Sequence, residues 1–291
     1  MKNLKGRTAV VTGASKGIGV YIARALAKKG MNLVLAARSQ SELEAVKAEV
    51  EGMGVKAIVV PTDVSDKAAL RSLVDAAKSE FGAIDVLVNN AGIESIFRYH
   101  ALEFEEIEAM LNVNLRAPMM LTWLVLPGML ERGEGHIVNI SSMAGKVGPA
   151  FSEPYGATKA GLIGFTQSLR GSYRDAGVSA SVISPGWVET GMYEEVERHG
   201  LKPSVLVGSS KPEKVSQAVV KAIEKDLGDV IVNPGPMRLL LGTNAMAPGL
   251  FEWVSKRMKI SEVFRKLADM REKERSGAKE ETKEEEEVVS G

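Results

Sequence analysis

Short β-branched apolar runs recur along the chain, separated by longer segments of helical period. The runs are Arg7–Thr12, Leu33–Ala37, Ala57–Val60, Ile84–Val88, Ile137–Ile140, Ser179–Ile183 and Asp229–Val232. Most are apolar at consecutive rather than alternate positions, as in a strand buried on both faces. Between them, Val20, Ile22, Ala23 and Leu26 repeat at helical spacing, and so do Leu70, Leu73 and Val74 after a cap at Ser65 or Asp66. Charged Ser41–Gly52 and Glu213–Lys225 predict surface helices, and Pro154 sits where a first-turn proline opens another. Phe104 to Gly128 predicts one long helix kinked at Pro118, with Asn112 and Asn114 in its disfavoured interior. Strands alternating with helices predict an α/β fold, a doubly wound parallel sheet with helices on both faces, over residues 1–235. Asp229–Val232 is expected at its edge.

The pattern weakens twice. Gly191 to Pro212 mixes glycines, charges and prolines, and predicts a partly helical lid over residues 191–212. From Pro236 the chain turns apolar through Leu241, Ala247, Leu250, Phe251, Trp253 and Val254, broken by Asn244, Pro248 and Gly249. Lys256, Arg257, Lys259, Arg265 and Lys266 then alternate with Ile260, Val263, Phe264 and Leu267. Residues 236–270 therefore read either as helices packed on the protein or as an amphipathic hairpin at a membrane surface, peripheral through 236–267. Residues 271–291, with four consecutive glutamates, predict a solvated, disordered tail.

Composition narrows the function classes. Acidic and basic residues balance at 37 each, giving no global pull toward nucleic acid. There is no cysteine, and the three histidines have no metal-ligand spacing, so no metal site is expected. His100, His136 and His199 read as surface or loop residues. No signal peptide and no spanning helix are expected, which predicts a cytoplasmic protein.

The chemistry sits at the strand ends. The first strand runs into Gly13-Ala14-Ser15-Lys16-Gly17-Ile18-Gly19 and then a helix. A glycine turn at a helix N-terminus lets a pyrophosphate approach backbone N–H groups. The second strand ends at Ala37-Arg38-Ser39, without the acid that would hold an unphosphorylated ribose. Lys16, Arg38 and Ser39 could instead face a 2′-phosphate, which points to NADP(H). Gly13, Arg38, Asp63, Asn90 and Ser142 all lie at carboxyl ends of strands, where such sheets bind ligands. Tyr155 and Lys159 are four apart, on one helical face. An ammonium there favours the phenolate and lowers the phenol pKa. Ser142 adds a neutral hydroxyl.

These motifs resemble the short-chain dehydrogenase/reductase family. The resemblance rests on Thr12–Gly19, Asn89-Asn90-Ala91-Gly92, Asn114, Ser142, Tyr155-Gly156-Ala157-Thr158-Lys159 and Pro185-Gly186, in the family's order over roughly residues 5–235. It implies Tyr155 as general acid or base, with Lys159 lowering its pKa and bonding the nicotinamide ribose. Ser142 would polarise a substrate carbonyl, and Asn114 would help hold a water in a proton relay. The implied cofactor positions are Gly13, Ser15, Lys16, Ile18, Arg38, Asp63, Val64, Asn90, Gly92, Val188 and Thr190, besides Tyr155 and Lys159. The expected activity is NADPH-dependent transfer of hydride between nicotinamide and a small-molecule carbonyl or secondary alcohol, on a lipophilic substrate. The alternative is a non-catalytic NADP(H)-binding regulator. A homodimer through the helices holding Asn114 and Tyr155 is expected. The family's tetramer often uses the chain end, where this chain continues.

Overall fold

A computed structural model describes residues 1–201, 208–234, 241, 244, 246–257 and 261–290. The start of the apolar stretch at 236–240, the lid segment 202–207, and Lys259 and Ile260 lie outside the described residues.

Seven parallel strands form the central sheet: β1 Thr8–Thr12, β2 Asn32–Ala37, β3 Ala57–Pro61, β4 Val86–Asn89, β5 Gly135–Ile140, β6 Val178–Pro185 and β7 Asp229–Val232. Their order is β3-β2-β1-β4-β5-β6-β7, so β7 is an edge, as expected. The chain reverses its direction of winding between β1 and β4, and that switch opens a crevice above the strand ends. Successive residues of each strand serve opposite faces. Ala9 and Val11 of β1 and Leu33 and Leu35 of β2 join one core, with α1 (Ile18–Ala27), α2 (Gln40–Glu51) and α8 (Pro212–Lys225). Val10 and Val34 join the other, with α3 (Lys67–Phe81) and α5 (Ala117–Arg132). Burial on both faces is why the strands read as unbroken apolar runs. Asp66 is the cap of α3, its Oδ1 accepting from the Ala68 N–H at 2.8 Å. Ser39 caps α2, and Pro154 opens α6 (Glu153–Tyr173).

Three expectations change. The long helix is interrupted at Asn112–Arg116 by a π-helical turn between α4 (Phe104–Leu111) and α5, not kinked at Pro118, which sits in the first turn of α5. Pro118 lacks the N–H that would continue the ladder, and the π turn just before it aims Asn114 inward. The run Phe104–Arg132 also meets the length and mean hydropathy (1.2) of a spanning helix by composition alone. In the fold its Leu121, Val125 and Met129 pack on the sheet. His136 is not a surface residue. It is the second residue of β5, with 1% exposure, and its Nε2 lies 2.7 Å from Ser181 Oγ on β6. Burial lowers its pKa to about 4.

The third change is the C-terminus. A short helix α9 (Pro248–Arg257) precedes α10 (Glu262–Ser290), so the expected disordered tail is helical. The first turns of α10 dock, with Leu267 and Ala268 buried beside Ile96 and Val196. Val196 belongs to α7 (Met192–Arg198) of the expected lid. Arg98 pairs with Asp269 and Glu272 of α10, each at 2.5 Å, and Arg275 reaches Glu106 at 2.8 Å. Docking supplies the costly nucleus, and the following Ala, Glu and Lys residues extend a helix at little cost. Val263, Phe264, Leu267 and Ala268 thus pack on the body, whereas Met246, Leu250 and Trp253 are exposed.

Candidate active site

The site grows from the end of β5. Ser141 Oγ donates to the Lys159 carbonyl at 2.9 Å and ties α6 to the strand end. Ser142 Oγ accepts from the Ala144 N–H at 3.1 Å and caps a 3₁₀ turn, Met143–Gly145. That turn lies against α6: a Cβ on Gly145 would be 2.5 Å from the Lys159 carbonyl carbon. The contact brings Ser142 to Tyr155, near enough for its hydroxyl to favour the phenolate.

Lys159, 4% exposed, donates from Nζ to the Ile140 carbonyl at 3.0 Å. The same nitrogen is 5.6 Å from the Tyr155 ring centroid. The expectation that Lys159 lowers the phenol pKa is not met. Burial raises it, the Glu94 carboxylate raises it further, and only the Ser142 hydroxyl lowers it. Lys159 is itself pushed down to about 8, by burial against the opposing pull of Glu94. An ammonium turned toward a backbone carbonyl and desolvated does less for its neighbour than spacing along a helix suggests.

Asn114 is fully buried. Its Oδ1 accepts from the Ile93 N–H at 2.9 Å, and its Nδ2 donates to the Ile93 carbonyl at 2.8 Å and to Thr158 Oγ1 at 3.2 Å. Both N–H bonds of the amide are thus used inside the protein. Asn114 pins the loop after β4 between Gly92 and Glu94.

Ser142, Tyr155 and Lys159 line one cavity of about 370 Å³, together with Ile18, Asn90, Gly92, Val188 and Thr190. Gly13, Ser15, Lys16, Arg38, Ser39, Asp63 and Val64 lie outside it, at the ends of β1, β2 and β3 along the same edge of the sheet. There the residues fit a dinucleotide. Gly13 takes φ +64°, and a Cβ on Gly19 would sit 2.0 Å from the Gly13 carbonyl oxygen. Asn90 Nδ2 clamps the turn by donating to the carbonyls of Thr12 and Gly13 at 2.9 and 3.1 Å. The N-terminus of α1 has no side-chain cap and no acid in its first turn, which leaves its N–H groups for an anion. Lys16 and Arg38 are exposed, and among the described residues neither forms an ion pair. Asp63 Oδ1 is already taken by the Ser65 N–H and hydroxyl at 2.8 and 2.7 Å. Those bonds, and then Arg38 nearby, lower its pKa. Val64 is buried in the core.

The sequence reading missed Glu94, which lines the cavity. The available signal was a carboxylate two residues past Gly92, at a strand end. It also did not place Trp187, Phe251 and Phe264 on the cavity wall. The Trp187 and Phe264 ring centroids are 5.5 Å apart. The active-site wall is thus completed by the C-terminal extension.

The sheet order, the glycine turn and the Ser–Tyr–Lys cluster define a class. The family description short chain dehydrogenase matches residues 7–200, and the chain belongs to that family. It is an oxidoreductase acting between CH–OH and C=O groups with a nicotinamide dinucleotide. Among curated proteins it is similar to the ketoacyl reductase HetN of a Nostoc species, 42% identical over 280 residues, with 94% of this chain and 96% of the relative covered. That match runs well into the C-terminal extension. It is also similar to a D-beta-hydroxybutyrate dehydrogenase of Cupriavidus necator, 34% identical over 248 residues, covering 83% of this chain and 93% of the relative. Among solved structures, a metagenomic short-chain oxidoreductase in complex with NADP superposes with a TM-score of 0.70 at 33% identity, over 81% of this chain and 100% of that one.

Proposed function

We propose that the protein is an NADPH-dependent carbonyl reductase acting on a ketone within a lipophilic substrate of the 3-oxoacyl kind. One observation carries this reading: Ser142 and Tyr155 open, beside Lys159, into a cavity whose wall includes the apolar side chains of Val147, Phe251, Val263 and Phe264.

When bound, the reduced nicotinamide supplies hydride to the carbonyl carbon. The protein handles the other charge. As electron density grows on the carbonyl oxygen, the Ser142 hydroxyl hydrogen-bonds to it and the Tyr155 phenol gives it a proton. The raised phenol pKa keeps Tyr155 protonated at neutral pH, the form that reduction requires. Lys159, titrating near 8, stands behind the phenol to restore its proton. Asn114 is a positioning residue, since its N–H groups already serve Ile93 and Thr158. The α1 N-terminus and glycine turn bind the pyrophosphate. Lys16, Arg38 and Ser39 meet the 2′-phosphate, with Asp63 and Val64 beside the adenosine half. Val188 and Thr190 line the nicotinamide end. Exposed Phe104, Leu111, Met119 and Trp123 on α4 and α5 support the homodimer.

The test is a panel of ketones assayed with NADPH and with NADH, for wild type and Tyr155→Phe. Wild type should reduce lipophilic ketones and prefer NADPH. Tyr155→Phe should lose roughly a hundred- to ten-thousand-fold in kcat, the usual worth of a general acid, while binding NADPH unchanged. Wild-type turnover in the variant would overturn the acid assignment, and equal rates with NADH would overturn the cofactor assignment.

A further inference from the structure

Glu94 is the charge on the cavity wall that the proton chemistry does not use. It follows Gly92 and Ile93 in the loop after β4, and Asn114 holds Ile93 at both its N–H and its carbonyl. The Glu94 side chain is therefore carried on a fixed backbone, not a loose loop. Among the described residues its carboxyl has no hydrogen bond or ion pair. The ionisable residues lining the cavity, among those described, are Glu94, Tyr155 and Lys159. Lys159 is the cation of the three, and its Nζ is already bonded to the Ile140 carbonyl beside the phenol. A substrate with a carboxylate near the reacting carbonyl would meet a like charge and no second cation. A neutral ester or thioester would bring no charge against Glu94 and would meet a wall of apolar and neutral polar side chains.

We propose that Glu94 is a specificity-determining residue that excludes free oxo acids and restricts this site to neutral carbonyl substrates such as oxo esters and oxo thioesters. The inference rests on the reductase reading and deepens it. The titratable groups that interact with Glu94 are Lys159 and the neutral phenol of Tyr155 from α6, Glu195 from α7 and Arg271 from α10. Burial, opposed by Arg271, aided by Glu195 and opposed by Lys159, raises the Glu94 carboxyl to about 7. The exclusion is therefore switched by pH. Above about 7 the carboxylate repels an anion, and below it the neutral acid does not.

The test uses the full chain loaded with NADP⁺, so that a ketone binds without turning over. Equilibrium dialysis measures benzoylacetate and its ethyl ester with wild type and Glu94→Gln, at about pH 6 and about pH 8, either side of the Glu94 titration. In wild type the preference for ester over acid should be about ten-fold larger at the higher pH than at the lower, one like-charge contact made or removed. In Glu94→Gln the preference should be smaller, and its change between the two should shrink to the part that Lys159, titrating near 8, contributes. A pH-independent preference in wild type, or the same preference in the variant, would overturn the inference. Because wild type is measured across pH, the result does not hang on the fold of the variant. Turnover of the ethyl ester with NADPH is read in parallel. Intact discrimination without turnover overturns the reductase reading and leaves Glu94 standing, and turnover without discrimination does the reverse.

Discussion

The two ends of the crevice are built in opposite ways. The cofactor end is local: strand β1, the glycine turn and α1 are consecutive in sequence, and the Asn90 clamp comes from the neighbouring strand β4. The substrate end is assembled from distant segments. Glu94 follows β4, Trp187 follows β6, and Phe251 and Phe264 come from helices beyond residue 247. A single backbone constraint holds the first end. The second is held by many modest contacts, and should yield gradually where the first fails outright.

The largest effect should come from breaking the local end. Gly19→Ala places a Cβ 2.0 Å from the Gly13 carbonyl oxygen, a backbone atom with no rotamer to move. The turn must open to admit it. The expected cost is about 3 kcal/mol or more of stability, at the upper end for overpacking. NADPH affinity should fall by more than about a hundred-fold, since the N–H groups of α1 lose their alignment. Thermal unfolding and cofactor fluorescence titration check the two numbers.

At the other end a larger deletion should do less. Phe264→Ala removes a ring that packs on Trp187 and lines the cavity. The ring is half-buried, so its loss should raise KM for a lipophilic ketone by roughly ten-fold, about 1–2 kcal/mol of apolar contact. NADPH binding should not change, because the cofactor turn lies elsewhere. An equal loss of NADPH affinity would show that the two ends are one cooperative unit and would break the comparison.

The same contrast explains what was legible in the sequence. Strands buried on both faces must be continuous apolar runs, and glycines at strand ends stand out, so the sheet and the cofactor turn could be read directly. His136 could not, because its burial depends on Ser181, forty-five positions away, taking its ring nitrogen. The π turn left no mark beyond the misplaced asparagines, since it is fixed by what Asn114 meets across the fold. Charge told least at the C-terminus. Arg98, Arg271 and Arg275 and the acids they meet are ordinary surface residues by composition, and only the tertiary fold makes them a seam.

The smallest effects should come from that seam, and they sharpen the contrast most. Arg271 grips Glu195 through Nη2 at 2.8 and 2.9 Å, joining α10 to α7. Both side chains are partly exposed, so Arg271→Met should raise KM only about two-fold, as for a partly screened pair. The more telling readout is the pH midpoint of ester-over-acid binding. Arg271 lowers the Glu94 pKa and Glu195 raises it. Arg271→Met removes a favourable cation and leaves Glu195 uncompensated, so the midpoint should move above 7 by about half a unit to one unit. Glu195→Gln leaves Arg271 facing the carboxylate and should move the midpoint down, by less. Opposite shifts from two members of one ion pair would mean that the C-terminal helix sets the charge of the substrate wall as well as its shape. Equal shifts in one direction would mean that loosening the seam, not the field at Glu94, governs the response.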